Sequence, residues 1–308
     1  MSATIRSSAT AFDYALLLAL ATIWGGSFTL IAFTLEDFPP ATMSMIRLFL
    51  GAALLCVIAV FMGERISLTG RTLLLLVLVG LFGNAIPFTL IAWGQQVVDA
   101  GLASILMGIM PIATLVLAHF FTDDEPLTKW KLIGVCVGLF GLVILVGPVV
   151  LGRLGDDGIR QIAILGAAIS YGINAIITKS LLGLPRMAAG AGLVLAGAIW
   201  LVPIAFMLED VTSITPSFES VWAIVLLAIF PTALAALLMF KIIDRQGAGF
   251  FGQINLLVPL AGVFWAYLFL SEALEPRAAL ALIIILSGVA VSRIRPSNAP
   301  NTRKEVTS

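Results

Sequence analysis

The sequence predicts an all-α membrane protein: ten transmembrane helices built as two inverted five-helix repeats. Three observations predict it. Of 308 residues, 60% are apolar and only 11% charged, and the mean hydropathy is +1.11. A water-facing surface needs roughly 25% charged residues, so the solvent is the bilayer. Apolar runs long enough to cross about 30 Å of hydrocarbon at 1.5 Å per residue recur ten times. The first half of the chain then returns in the second at a spacing of 147 or 148 residues.

The spans fall at about 14–35, 41–62, 73–95, 100–121, 131–149, 159–179, 187–207, 220–241, 247–270 and 277–292. The first begins at Tyr14 and has no small-residue cleavage pattern, so it is a spanning helix and not a signal peptide. It carries the uncharged stretch "ATIWGGSFTL" at 21–30; the second holds Arg47, the one basic side chain well inside a span. Span three brings Asn84, Pro87 and Trp93; span four brings Ser104, Pro111 and, at its end, His119. Span five has the Gly134-x-x-x-Gly138 spacing that suits close helix contact, within the fold or in a homodimer. Span six opens the second half with "AAISYGINAI" at 167–176, span eight holds Pro231 and Thr232, and span nine holds Gln253, Asn255 and Pro259. The longest connections hold about ten residues, which leaves no extramembrane domain to carry chemistry.

Trp24-Gly25 answers Tyr171-Gly172, Ser27 answers Asn174, Asn84 answers Thr232, Pro111 answers Pro259, and Glu125 answers Glu272. Five spans are an odd number, so the second unit enters from the opposite face. Inverted repeats of this kind are an architecture of secondary transporters. We place the repeats at 14–149 and 159–293, with 1–13 and 294–308 as tails. Basic residues resist translocation. With cytoplasmic termini the inner side collects Arg6, Arg65, Arg71, Lys129, Lys131, Lys179, Arg186, Lys241, Arg245, Arg293, Arg295, Arg303 and Lys304. The outer side keeps Arg153, Arg160 and Arg277, so both ends are expected in the cytoplasm.

The Trp-Gly pair, "FPPATMSMIRLFLGAALL", "GLFGNAIPFTLIAWGQQVVDAGLASILMGIMPIATLVLAHFF" and "EPLTKWKLIGVCVGLFGLVILVG" resemble one EamA unit of the drug/metabolite transporter superfamily. The stretch from "AAISYGINAI" to "SGVAVSR" resembles a second. The resemblance implies ten helices around a central cavity and movement of small metabolites across a bacterial inner membrane, with exporters of aromatic amino acids the nearest type. Efflux of drugs, sugars, dyes or lipid-like molecules by the same fold is the alternative. The second unit departs from the pattern, since Arg47 has no basic counterpart near Val194 and Tyr171 replaces Trp24.

Polar groups in hydrocarbon face a bundle interior or a wet cavity. Here Trp24, Ser27, Arg47, Asn84, Trp93, Tyr171, Asn174, Thr232 and Gln253 are the candidate substrate-binding residues. They come from the first four spans of each unit, so spans five and ten are expected at the periphery. Thr29, Ser44 and Thr89 are further mid-span polar residues expected to face the interior. For Trp24 an interfacial-belt role, for Trp93 a belt or packing role, and for Arg47 helix capping or snorkelling stand beside the binding role. The matched prolines Pro111 and Pro259 are candidate hinges. No Asp or Glu lies near mid-depth, which argues against proton or sodium coupling and against an intramembrane enzyme. Cys56 and Cys136 are far apart and read as buried apolar filler, without metal or disulfide. No cofactor and no nucleic-acid partner is expected; the partners are a small-molecule substrate and membrane lipids.

Overall fold

Hydrocarbon offers backbone N–H and C=O groups no partner, so each apolar run closes its hydrogen bonds internally as a helix. The computed structural model describes residues 9–121, 128–152, 156–178, 183–292 and 294. Of the residues named above, Arg6, Glu125, Arg153, Lys179, Arg293, Arg295, Arg303 and Lys304 lie outside the described residues. The helices are α1 Ala11–Leu35, α2 Pro40–Phe61, α3 Gly70–Gln95, α4 Ala100–Phe121 and α5 Lys129–Gly152. Then follow α6 Asp156–Thr178, α7 Arg186–Leu208, α8 Phe218–Gln246, α9 Ile254–Leu270 and α10 Pro276–Ser292. A short turn of helix, Ala248–Phe251, leads into α9. Among the described residues seven helices are long and apolar enough to cross a bilayer; α9 and α10, at 17 residues each, are shorter apolar ones.

The packing obeys the repeat. If α1 corresponds to α6, α2 to α7 and so on, a two-fold relation requires some pairs to map onto themselves and others to exchange. The contacts α2–α7, α4–α9 and α5–α10 are the self-paired ones; α1–α9 exchanges with α6–α4, α1–α8 with α6–α3, and α3–α7 with α8–α2. The close approaches repeat as well. A Cβ on Gly25 of α1 would lie 2.7 Å from the Gly262 nitrogen of α9, and one on Gly172 of α6 would lie 3.3 Å from Thr114 backbone of α4. A Cβ on Gly51 would meet Thr232 at 2.6 Å, while one on its equivalent Gly197 would meet Asn84 at 2.7 Å.

Two interruptions coincide under the repeat. Leu81–Ala85 in α3 and Ile229–Leu234 in α8 are π-helical. A π-bulge widens one turn and re-aims the side chains beyond it, and it is common at functional positions. The α5–α10 pair stands apart at the periphery. Gly134 and Gly138 lie against Gly288, so close that a Cβ on Gly288 would sit 2.5 Å from the Gly138 nitrogen. The contact that the Gly134/Gly138 spacing suits is thus made within the chain.

Acidic residues at helix ends cap helices of the other repeat. Glu209 beyond α7 accepts from Ala41 N–H (2.8 Å) and Thr42 N–H (2.7 Å) at the start of α2. Glu64 beyond α2 returns the arrangement to α7, accepting from Met187 and Ala188 N–H. Glu272 takes Ala100 and Gly101 N–H of α4. Asp37 takes the Ser217 hydroxyl and N–H before α8, and those bonds hold its carboxyl below the usual carboxylate range. Each cap satisfies orphan N–H groups and places negative charge at the positive helix end. Cys56 and Cys136 are free but exposed, contrary to the expectation that they are buried, because both sit on outward faces of their helices.

Three outcomes are expected. Glu209→Ala should destabilise the protein by about 1 kcal/mol, the usual cost of a lost cap, read as a lower thermal midpoint in detergent. The Asp37 contribution, coming from a depressed pKa, is present above the unfolded carboxylate range and should persist at about pH 5, vanishing only as pH falls through the lowered value. Gly288→Leu should force α10 off α5 at a cost of about 1–3 kcal/mol while substrate affinity is unchanged, since neither helix lines the central cavity.

Candidate functional site

Between the two repeats lies a cavity of about 420 Å³, in the range of roughly 300–1,000 Å³ typical of small-molecule sites. Among the described residues its walls come from α1–α4 and α6–α9 with the turn before α9; α5 and α10 contribute nothing. Trp24, Ser27, Arg47, Asn84, Tyr171, Asn174 and Thr232 all line it. Trp93, Gln253 and Pro111 do not.

The π-bulges set two of these residues. Asn84 and Thr232 sit within the widened turns and reach the cavity from opposite repeats. The Asn84 amide donates to the Leu193 carbonyl at 3.5 Å, and the Thr232 hydroxyl donates to the Leu227 carbonyl at 2.9 Å. Gly83 lets Asn174 approach beside them, since a Cβ there would lie 2.7 Å from the Asn174 carboxamide and displace it. Asn174 itself accepts from the Thr178 hydroxyl. The Trp24 indole N–H donates to the Pro231 carbonyl at 3.3 Å, and its ring meets Phe251 edge-on at 6.0 Å. The indole is thereby fixed at the cavity wall.

Arg47 is 5% exposed. Its Nε donates to Thr232 Oγ1 at 3.1 Å, and its guanidinium lies over the Phe88 ring at 4.2 Å. It neither caps a carbonyl nor extends to the interface, and among the described residues no carboxylate pairs with it. The rest of the lining is mainly apolar, with Phe28, Ile31, Phe88, Met107, Val194 and Phe251 prominent. Phe88 lies one helical turn beyond Asn84, so the helical period could have marked it; Phe251 sits in a short turn that hydropathy does not single out.

The other candidates have different tasks. Trp93 packs under the Arg160 guanidinium at 4.0 Å, and its carbonyl accepts from Arg160 at 2.6 Å. Gln253 is the N-cap of α9, held in the turn by its N–H to the Phe250 carbonyl. The two prolines differ locally. Pro111 follows the break of α4 at Gly108–Ile109, whereas Pro259 lies inside the continuous α9 and lines the cavity. Thr29, Ser44 and Thr89 are interior, with buried hydroxyl oxygens that find no partner among the described residues.

The two ends of the cavity are not alike. Phe28, Ile31, Ile91, Ala103 and Ser104 are buried. Their repeat equivalents are open to different degrees: Ala175 is exposed, and Thr178, Met239, Phe251 and Gly252 are partly so. In the same sense α1 packs against α3 and α4, while α6 makes no comparable contact with α8 or α9. A bond from Gln95 Nε2 to the Phe28 carbonyl, 2.8 Å, ties α3 to α1 across the sealed end. Among the described residues the cavity is therefore closed between α1, α3 and α4 and open between α6, α8 and α9, on the side where α1 begins. A chamber of this kind can hold a small, largely apolar molecule and admit it from one face.

Comparison with known proteins agrees with this architecture. The profile of the EamA-like transporter family matches residues 12–147 and again 159–294. The uncharacterized transporter YoaV of Bacillus subtilis (strain 168) is 25% identical over 89% of this chain and 94% of its own length. A probable terminal-alkyne amino-acid exporter of Streptantibioticus cattleyicolor is 25% identical over 94% of this chain and 98% of its own. A probable amino-acid metabolite efflux pump of Escherichia coli (strain K12) is 25% identical over 91% and 94%. One crystal structure superposes with a TM-score of 0.63 at 18% identity, covering 92% of this chain and 98% of that one, which shows the shared fold. With two matches that together span most of its length, the chain belongs to the EamA-like transporter family.

Proposed function

We propose that this chain is a secondary transporter that exports small metabolites, neutral and aromatic amino acids foremost, from the cytoplasm by alternating access. The observation that carries the reading is the cavity between inverted repeats, sealed at one end and open at the other. Two states related by the pseudo-two-fold follow from it: in the second, the α6–α8–α9 end closes as the α1–α3–α4 end does here. Trp24, Tyr171, Phe88 and Phe251 supply flat apolar surfaces for an aromatic side chain. Relatives named as amino-acid exporters support the same class. The excess of basic residues on the terminal side supports cytoplasmic termini in an inner membrane, and the open end then faces the cytoplasm. Pro259, on the cavity wall, and Pro111, at the break of α4, are proposed as the flexing points. Among the described residues the lining carries no carboxylate or histidine, which supports movement down a metabolite gradient without ion coupling. No bond chemistry is proposed for it.

Purified protein in liposomes tests this with labelled phenylalanine, glucose and a cationic dye, each with and without a pH gradient. Saturable phenylalanine flux without the gradient is expected, and Trp24→Ala should weaken its apparent affinity about tenfold. Asn84→Ala should weaken it by a smaller factor. Phenylalanine flux that is absent, or that appears only with a pH gradient, would contradict the proposal.

A further inference from the structure

The repeat makes the two flanks of the cavity comparable residue by residue. Gly51 and Gly197 occupy equivalent places, so Arg47 of α2 corresponds to Leu193 of α7, and Thr232 corresponds to Asn84. On one flank Arg47 Nε donates to Thr232 Oγ1; on the other, the Leu193 carbonyl accepts from Asn84 Nδ2. The two flanks are alike in backbone and opposite in character. One of them carries a full positive charge.

Among the described residues no carboxylate matches that charge. Arg47 is buried and its Nε is the only guanidinium nitrogen with a protein acceptor among the described residues. Phe88 covers one face of the planar group. The edge bearing the two terminal nitrogens is left, and that edge is the one that binds a carboxylate through two parallel hydrogen bonds. A buried charge without a partner is costly, so the site is built for one that arrives with the ligand.

An ammonium group finds nothing equivalent. Among the described residues the lining holds no Asp or Glu. Ser27 donates to the Trp24 carbonyl, and the Asn174 carboxamide oxygen already accepts from Thr178. Only neutral acceptors remain for an α-ammonium.

Resting on the reading of this cavity as the transport site, we propose that Arg47 and Thr232 form a carboxylate subsite. The transported class is then amphipathic organic monoacids with an apolar body, recognised by the carboxylate and not by the α-ammonium. Amino acids belong to this class as members whose amino group is tolerated. Thr232 is a positioning residue: its hydroxyl, anchored on Leu227, accepts from Arg47 Nε and holds the guanidinium at the cavity wall.

Calorimetric titration of the purified full chain with three probes of similar shape tests the proposal: 3-phenylpropanoate, phenylalanine and phenethylamine. The expected result is that 3-phenylpropanoate binds at least as tightly as phenylalanine, with phenethylamine ten-fold weaker or more. Arg47→Gln should weaken both carboxylates by about 10-fold to 100-fold and leave phenethylamine unchanged or tighter. Thr232→Val, nearly the same shape, should weaken them by a smaller factor, and the wild-type probe series stands even where a variant fails to fold. Phenethylamine binding as tightly as 3-phenylpropanoate, or phenylalanine binding where 3-phenylpropanoate does not, would overturn the subsite and leave the transporter reading intact. Failure of all three to bind would overturn both.

Discussion

Hydrocarbon cannot solvate a polar group, and the rest of this structure follows from that constraint. Most polar atoms find their partners within helices, at caps or around the cavity; the buried hydroxyls of Thr29, Ser44 and Thr89 find none among the described residues. The caps carry the acids. Glu64, Glu209 and Glu272 each sit beyond a helix of one repeat and bind the first N–H groups of a helix in the other, and Asp37 binds the N-cap Ser217 ahead of α8. The cavity carries the rest. It gathers the irregular backbone of both π-bulges, the Asn84 and Thr232 side chains, and the buried Arg47 guanidinium. Irregular backbone at membrane depth is tolerated where it lines such a space.

Symmetry of shape and asymmetry of state are therefore separable. The main helix pairings map onto themselves under the exchange of repeats, down to Gly25 with Gly172 and Gly51 with Gly197. The burial of Ile31 against the partial exposure of Thr178, and of Ile91 against Met239, does not. Under the proposed alternating access, closing one end and opening the other would exchange like contacts for like and keep the two states close in free energy. The guanidinium breaks the equivalence in a second way, as it gives the chamber a charged flank and a neutral one.

Much of this architecture is legible in the amino-acid sequence. The spans follow from hydropathy, the inverted sense from an odd number of spans per repeat, and most of the polar cavity wall from polar side chains at mid-span. Trp93 is not legible, since an aromatic near a span end reads the same whether it faces a cavity or stacks under Arg160 from another helix. Gln253 escapes because hydropathy does not register the break between Phe251 and Ile254, which places it in a turn. The π-bulges leave no period in an apolar run, and the carboxylate caps depend on helix ends meeting across the repeats. Cys56 and Cys136 mislead for a simple reason: in a bilayer an apolar neighbourhood is as often surface as core.

The most direct test of alternating access is the accessibility of two equivalent ends of one cavity. Ala175→Cys and Ile31→Cys, each placed in a Cys56→Ser, Cys136→Ser background, should be challenged with a water-soluble maleimide from either face of oriented vesicles. A cavity open between α6, α8 and α9 predicts that Ala175→Cys is labelled from the face carrying the termini, while Ile31→Cys is protected. Labelling of Ile31→Cys from the opposite face, with Ala175→Cys protected, would contradict it.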